Sequence, residues 1–215
     1  AALVPSCVYG GGNKANLPPS PLDAIYIWGS FGMLPEQYPE RFRGATLAFF
    51  TSDDKFEATW RDAVRCCEAA KKIGWGAVIP QDFSMWVDNP LAVQLWNMYR
   101  SRWCARLWQE VGIPIIPALN WADEQSYRFA IDGLPKDIPV AAVQCRTVKR
   151  ISERERFLSG LRHALAKCNV GTLLLYGGNE GRKWIEPYVD FGAAKVVWLK
   201  SFTTNMRERM KKRGD

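Results

Sequence analysis

The chain is constrained most by a rhythm: short, continuously apolar runs, each closed by a polar or proline-bearing turn and separated by a helix-length stretch. It is plainest between Ala77 and Trp121. Ala77-Val78-Ile79 is apolar, stops at Pro80, and is followed at once by Asp82 and Ser84. Asp88-Asn89-Pro90 has the composition of a helix start, a capping Asp or Asn ahead of a first-turn proline. The helix predicted over 90–111 runs to Gly112, a stop signal. Residues 113–118 are apolar and β-branched, too short for a helix. Strand, helix, strand, with both strands apolar throughout, predicts parallel neighbours buried on both faces.

The same alternation extends along the rest of the chain. Residues 1–44, broken by Gly10-Gly11-Gly12 and several prolines, read as an irregular extension packed on the body, with a first strand over 24–28. From 45 to 215 the sequence reads as one α/β domain. Strands are expected at 46–50, 77–79, 113–118, 139–143, 172–176 and 195–199. Helices are expected at 56–73, 90–111, a short one ending near 131, 152–167, and a short one over 183–191. Ser152 with Glu155 is read as the capping pair of the fourth helix, and a basic C-terminal helix closes the chain. Six or seven strands in unbroken β-α order predict a (β/α) barrel-like fold, short of a full barrel, with an open doubly wound parallel sheet as the alternative.

Composition narrows the function classes. No stretch approaches the about 20 apolar residues that span a bilayer, so no membrane partner is expected. The start of the chain shows no signal peptide. Six scattered cysteines without a CxxC pair, and a lone His163, exclude a disulfide framework, a clustered zinc site and His-dependent nucleophile pairs, and point to a reducing, cytoplasmic compartment. A formal charge of +7 favours polyanionic partners, DNA or RNA. The tract Arg207, Arg209, Lys211, Lys212, Arg213 is a candidate nucleic-acid contact, and a solvated tail explains it equally well.

In either architecture the C-terminal ends of the strands share one face, and sites are built there. That places Asp53, Asp54, Asp82 and Ser84 as candidate catalytic groups, with Asn120, Trp121 and Arg146 beside them. Asp53, Asp54 and Asp82 could also hold one Mg2+, with water completing the shell. The long helix adds Gln94, Asn97, Arg100 and Arg102. Arg102 and Arg106, four residues apart, are expected to point together, either into an anion site or into local ion pairs. Gly177-Gly178-Asn179 follows a strand and precedes a helix, where backbone amides can cradle phosphate. A tight turn is the competing reason for these glycines.

The segments PQDFSMWVDNPLAVQLWNMYRSR, IPIIPALNW, IDGLPKDIPVAAVQC, LLLYGG and TTNMRERM together resemble the phage and mobile-element family known as domain of unknown function 4417. The resemblance spans 50–210. It matches at Asp82, Phe83, Ser84, Asp88, Pro90, Gln94, Asn97, Tyr99, Arg100, Ser101, Arg102, Trp121, Asp132, Gly133, Tyr176 and Gly177. Gln81 stands where many relatives have Pro, and Cys145-Arg146 where they carry small residues. The resemblance implies a phage or mobile-element setting, in the cytoplasm of a bacterial host, and supplies no activity. Three readings follow: a nucleic-acid-directed protein with a polar strand-end site, a barrel enzyme on a nucleotide or sugar phosphate, and a non-catalytic interaction or assembly protein with a tryptophan-rich docking face.

Overall fold

The computed structural model describes residues 25–29 and 35–200. Most of the expected N-terminal extension and all of the basic C-terminal tract therefore lie outside the described residues. The chain forms two compact units, Ala1–Pro135 and Lys136–Asp215. Each is built on a three-stranded parallel sheet whose strands follow in sequence order.

In the first unit, β1 (Ile25–Ile27), β2 (Thr46–Ala48) and β3 (Ala77–Ile79) pair in register, Ile25 with Thr46 and Leu47 with Val78. The strand expected over 113–118 is reduced to a single parallel bridge between Val78 and Ile115. The Val78 amide donates to Pro114 (2.9 Å) and the Ile116 amide to Val78 (2.9 Å). Pro114 and Pro117 lack the donors that would extend this ladder.

The helix expected over 56–73 is two helices, α1 (Asp53–Arg61) and α2 (Ala63–Ile73), broken at Asp62 with φ −126° and ψ 55°. The buried positions Phe56, Thr59, Ala63, Cys67 and Ala70 keep a near-continuous helical phase across the break. The periodicity alone therefore conceals it. α2 ends at Gly74, whose φ of 79° suits the left-handed C-terminal position. α3 (Leu91–Glu110) matches its expected span closely, but Pro90 is its N-cap and neither Asp88 nor Asn89 caps it through a side chain. α4 (Tyr127–Ala130) is a single turn. The core joins Leu47, Phe49, Phe56, Val78, Phe83, Trp108 and Ile115.

In the second unit, β4 (Asp137–Gln144), β5 (Asn169–Tyr176) and β6 (Lys195–Leu199) carry the sheet, with Ala141 opposite Leu173 and Leu173 opposite Val196. α5 (Ile151–Lys167) is not capped by Ser152. Glu153 reaches back and accepts from the amides of Lys149 (2.8 Å) and Arg150 (2.9 Å), so the cap lies two residues earlier than expected. α6 (Gly178–Ile185) starts five residues ahead of the expected helix, because Gly178, Asn179 and Gly181 read as a turn. A 3₁₀ turn over 186–188, with Pro187 in it, follows α6.

The expectation of parallel strands alternating with helices holds. Barrel closure is not found: among the described residues the strands form two separate sheets. Neither sheet reverses its order, so neither has the switch point of a doubly wound fold. No helix among the described residues is long and apolar enough to cross a membrane.

Candidate functional site

The polar groups beyond β3 converge on the loop over 81–90, and most of them hold it in place. Asp53, at the start of α1, accepts from both the Ser84 amide (3.0 Å) and the Ser84 hydroxyl (2.9 Å). Asn97 of α3 donates to the Ser84 carbonyl (2.8 Å), and Asn120 donates to the Phe83 carbonyl (3.0 Å). The Phe83 amide donates to Ser101 Oγ (3.2 Å). Gln94 donates to the carbonyls of Trp86 (3.3 Å) and Asn89 (3.0 Å). A loop leaving a buried strand must satisfy its own backbone groups, and here side chains from three distant segments do so.

The arginines serve the same frame. Arg100 lies 3.7 Å from the centre of the Phe83 ring, donates to Asn97 (2.7 Å) and pairs with Glu57 (2.9 Å). Arg102 is 1% exposed and donates to the Ala130 carbonyl (3.0 Å). A Cβ at Gly133 would run into its guanidinium. The expectation that Arg102 and Arg106 point together is corrected: Arg106 is exposed and pairs with Glu110 at 3.0 Å. Four residues on a helix separate by about 40°, enough to carry one side chain inward and the other to the surface.

Asp82 is the exceptional group. Asp82 keeps some exposure as a residue. Its Oδ1, however, is shut off from solvent and has no hydrogen-bond partner. Burial, with the Asp53 charge as the second cause, holds its carboxyl well above the usual carboxylate range. Both causes disfavour the anion, so this acid is poised to keep its proton. The adjoining cavity, lined by Gln81, Asp82, Ser101, Arg102 and Asn120, has a volume near 10 Å³, room for about one water and no substrate. The residues do not fit Mg2+: Asp54 is exposed on the first turn of α1, Asp53 is committed to Ser84, and no group of three acidic, His or Cys ligands exists among the described residues. Trp121 is buried at 9% exposure, in the core.

Sequence reasoning missed three members of this frame. Gln81 donates to Thr59 (2.8 Å) and accepts from the Trp108 indole (3.2 Å), all buried. Glu57 anchors Arg100 from α1. The partners lie 22 to 43 residues apart in the chain, so no local pattern signals them.

In the second unit the candidates lie beyond β4 and β5. Arg146 is exposed, and Lys149 and Arg150 are exposed in the same loop. A Cβ at Gly177 would strike the Cys145 thiol and come within 3.3 Å of the Arg146 nitrogen, so the two strand ends touch here. The Gly177 amide is spent on the Leu199 carbonyl (3.1 Å), which removes it from any phosphate cradle and leaves the close approach as the reason for its glycine. Gly178 and Asn179 open α6. Glu180 is held below the usual carboxylate range by its hydrogen bond to Lys183, with Lys149 and Arg154 adding to the effect. The charge of the chain is divided: residues 136–215 carry seventeen Lys and Arg against eight Asp and Glu, a formal +9, and residues 1–135 carry twelve against fourteen, a formal −2.

These features define an α/β protein with a side-chain-strapped loop at one strand end and a cationic loop at another. The chain belongs to the family described as domain of unknown function DUF4417, whose model matches residues 30–189. It is similar to the Gene 1 protein of Mycobacterium phage L5, 38% identical over 134 residues that cover 62% of this chain and 58% of that protein. The Gene 1 protein of Mycobacterium phage D29 is 35% identical over 134 residues, covering 62% and 49%. The chain thus spans about half the length of these relatives, and the family includes phage proteins. No solved structure matches it.

Proposed function

We propose that this protein binds nucleic acid through phosphate contacts made by its C-terminal unit. The observation that carries the reading is the division of charge, +9 in residues 136–215 against −2 in the rest. Polyanion binding depends on such a local excess, not on the average over the chain. Arg146, Lys149 and Arg150 are the primary contacts: three exposed cations within five residues, on a loop fixed at one end by β4 and at the other by the Glu153 cap. The relatives are phage proteins, a setting that supports this reading, and their names give no partner. Asp82 and Asp53 act in this reading as the anchor of the 81–90 loop, since the cavity beside Asp82 admits only a water.

The test is fluorescence anisotropy with labelled single- and double-stranded DNA and RNA at rising salt. Affinity is expected to fall linearly on a logarithmic plot. Replacing Arg146, Lys149 and Arg150 together by Glu is expected to reduce the slope by about 2 to 3, near one unit per lost phosphate contact. A salt-independent signal, or a triple variant with the parent slope, defeats the proposal.

A further inference from the structure

The cationic loop beyond β4 carries one side chain that phosphate contacts do not explain. Ile151, the first residue of α5, is 75% exposed, more than any other large apolar side chain among the described residues. The chain on either side of it is fixed. Gln144 donates to Thr147 Oγ1 (3.1 Å), and the Val148 amide donates to the Cys145 carbonyl (3.3 Å). Glu153 accepts from the amides of Lys149 and Arg150, the two residues just ahead of Ile151. An apolar tip on a backbone already held in place loses little freedom when it enters a partner.

The charges around Ile151 choose the partner. Residues 146–156 hold Arg146, Lys149, Arg150, Arg154 and Arg156 against Glu153 and Glu155. On α6, Glu180 lies near Lys149 and Arg154 and pairs with Lys183 (2.9 Å). Six cations against three carboxylates leave an excess of three, and Glu153 is already committed to its two amides. An apolar tip inside a cationic collar suits a polyanion that also has apolar surface to offer, which is nucleic acid. Single strands are held by stacking their bases on aromatic rings, and residues 144–156 contain none. The nearby Trp184 is half-buried, with Arg154 over its ring (5.4 Å) and Phe157 edge-on against it (5.2 Å). Tyr188 is tied through its carbonyl to Arg162, about 16 Å further along α5. Isoleucine is instead one of the apolar wedges that enter duplex DNA from the minor groove and part a base step, the unstacking being offset by contacts to the bent flanks. We infer that Ile151 is such a wedge, entering a base step of duplex DNA while Arg146, Lys149 and Arg150 hold the flanking phosphates. The inference rests on the nucleic-acid reading of the C-terminal unit and names duplex DNA as its partner.

Fluorescence anisotropy of the full chain at rising salt, paired with energy transfer across a duplex of about 20 base pairs labelled at both ends, tests it. The parent chain is expected to bring the two ends of the duplex closer together. Ile151→Ala is expected to weaken binding about tenfold and to abolish the rise in energy transfer. It should keep the parent salt slope, because no phosphate contact is removed. Ile151→Leu should retain both affinity and bend, and both variants should unfold at the parent midpoint. An Ile151→Ala variant that binds and bends like the parent overturns the wedge, as does a parent chain that binds without bending or that prefers single strands. In each of these cases the phosphate reading stands. An affinity loss that comes with a changed salt slope also overturns the wedge, since the side chain would then be acting through the cations. A parent chain with no salt-dependent binding to any nucleic acid overturns both readings.

Discussion

Two strand ends in this protein carry polar residues of similar kind and use them in opposite ways. Beyond β3, Asp53, Asn97, Ser101, Asn120 and the two arginines turn inward and spend their hydrogen bonds on one loop and its surroundings. Beyond β4 and β5, Arg146, Lys149 and Arg150 face solvent, and the pairs on α6, Arg182 with Glu186 and Lys183 with Glu180, lie on the surface. A polar residue at a strand end therefore has two physical fates. Buried, it is structural and costly to disturb, because its partners lose their hydrogen bonds with it. Exposed, its local pairing is screened and weak, and its charge stays available to a ligand.

The sharpest attack on this contrast is Arg102→Ala. It removes a buried side chain and orphans the Ala130 carbonyl, so a loss of about 3–5 kcal/mol in denaturant unfolding is expected. A cost under about 1 kcal/mol breaks the claim that the first strand end is held from within.

Asp82→Asn tests the same region by pH. Folding raises the pKa of Asp82, so the folded state favours its protonated form. The stability tied to that proton is fully present below about pH 4 and is lost as pH rises toward the folded-state value, by roughly 1.4 kcal/mol per pH unit. Asn keeps the neutral shape at every pH. The variant is expected to be more stable than the parent at pH 7 by about 1–3 kcal/mol and to have a flatter profile. Parallel curves for the two proteins would show that Asp82 is ionised when folded.

The smallest effect belongs to the second region. Arg182→Ala breaks an exposed pair on α6, and no measurable change in the unfolding midpoint is expected. A clear loss would mean that the exposed charges are also structural, and the contrast would dissolve.

Much of the fold was legible because burial writes itself into short apolar runs. The strands at 77–79 and 195–199 match residue for residue. β4 begins two residues before the expected start because Pro139 sits within it. β4 is an edge strand, and a missing donor there is harmless. The break at Asp62 and the loss of the strand near Ile115 escaped notice because apolar phase survives a kink and does not count donors. Of the residues expected at one strand-end face, Asp53, Asn97 and Asn120 bond to the loop over 81–90, whereas Trp121 lies in the core and Arg146 lies beyond β4. What the sequence could not disclose was the direction each side chain faces, which depends on partners such as Glu57 and Thr59 far along the chain.

The cysteines carry a practical consequence. Cys66, Cys67, Cys104 and Cys145 form no disulfide. Burial pushes Cys66, Cys67 and Cys145 up to about 12 and raises Cys104 as well. At mildly alkaline pH those four stay protonated and slow to alkylate while the chain is folded. An iodoacetamide time course would therefore count opening events and, residue by residue, reveal which unit of the molecule lets go first.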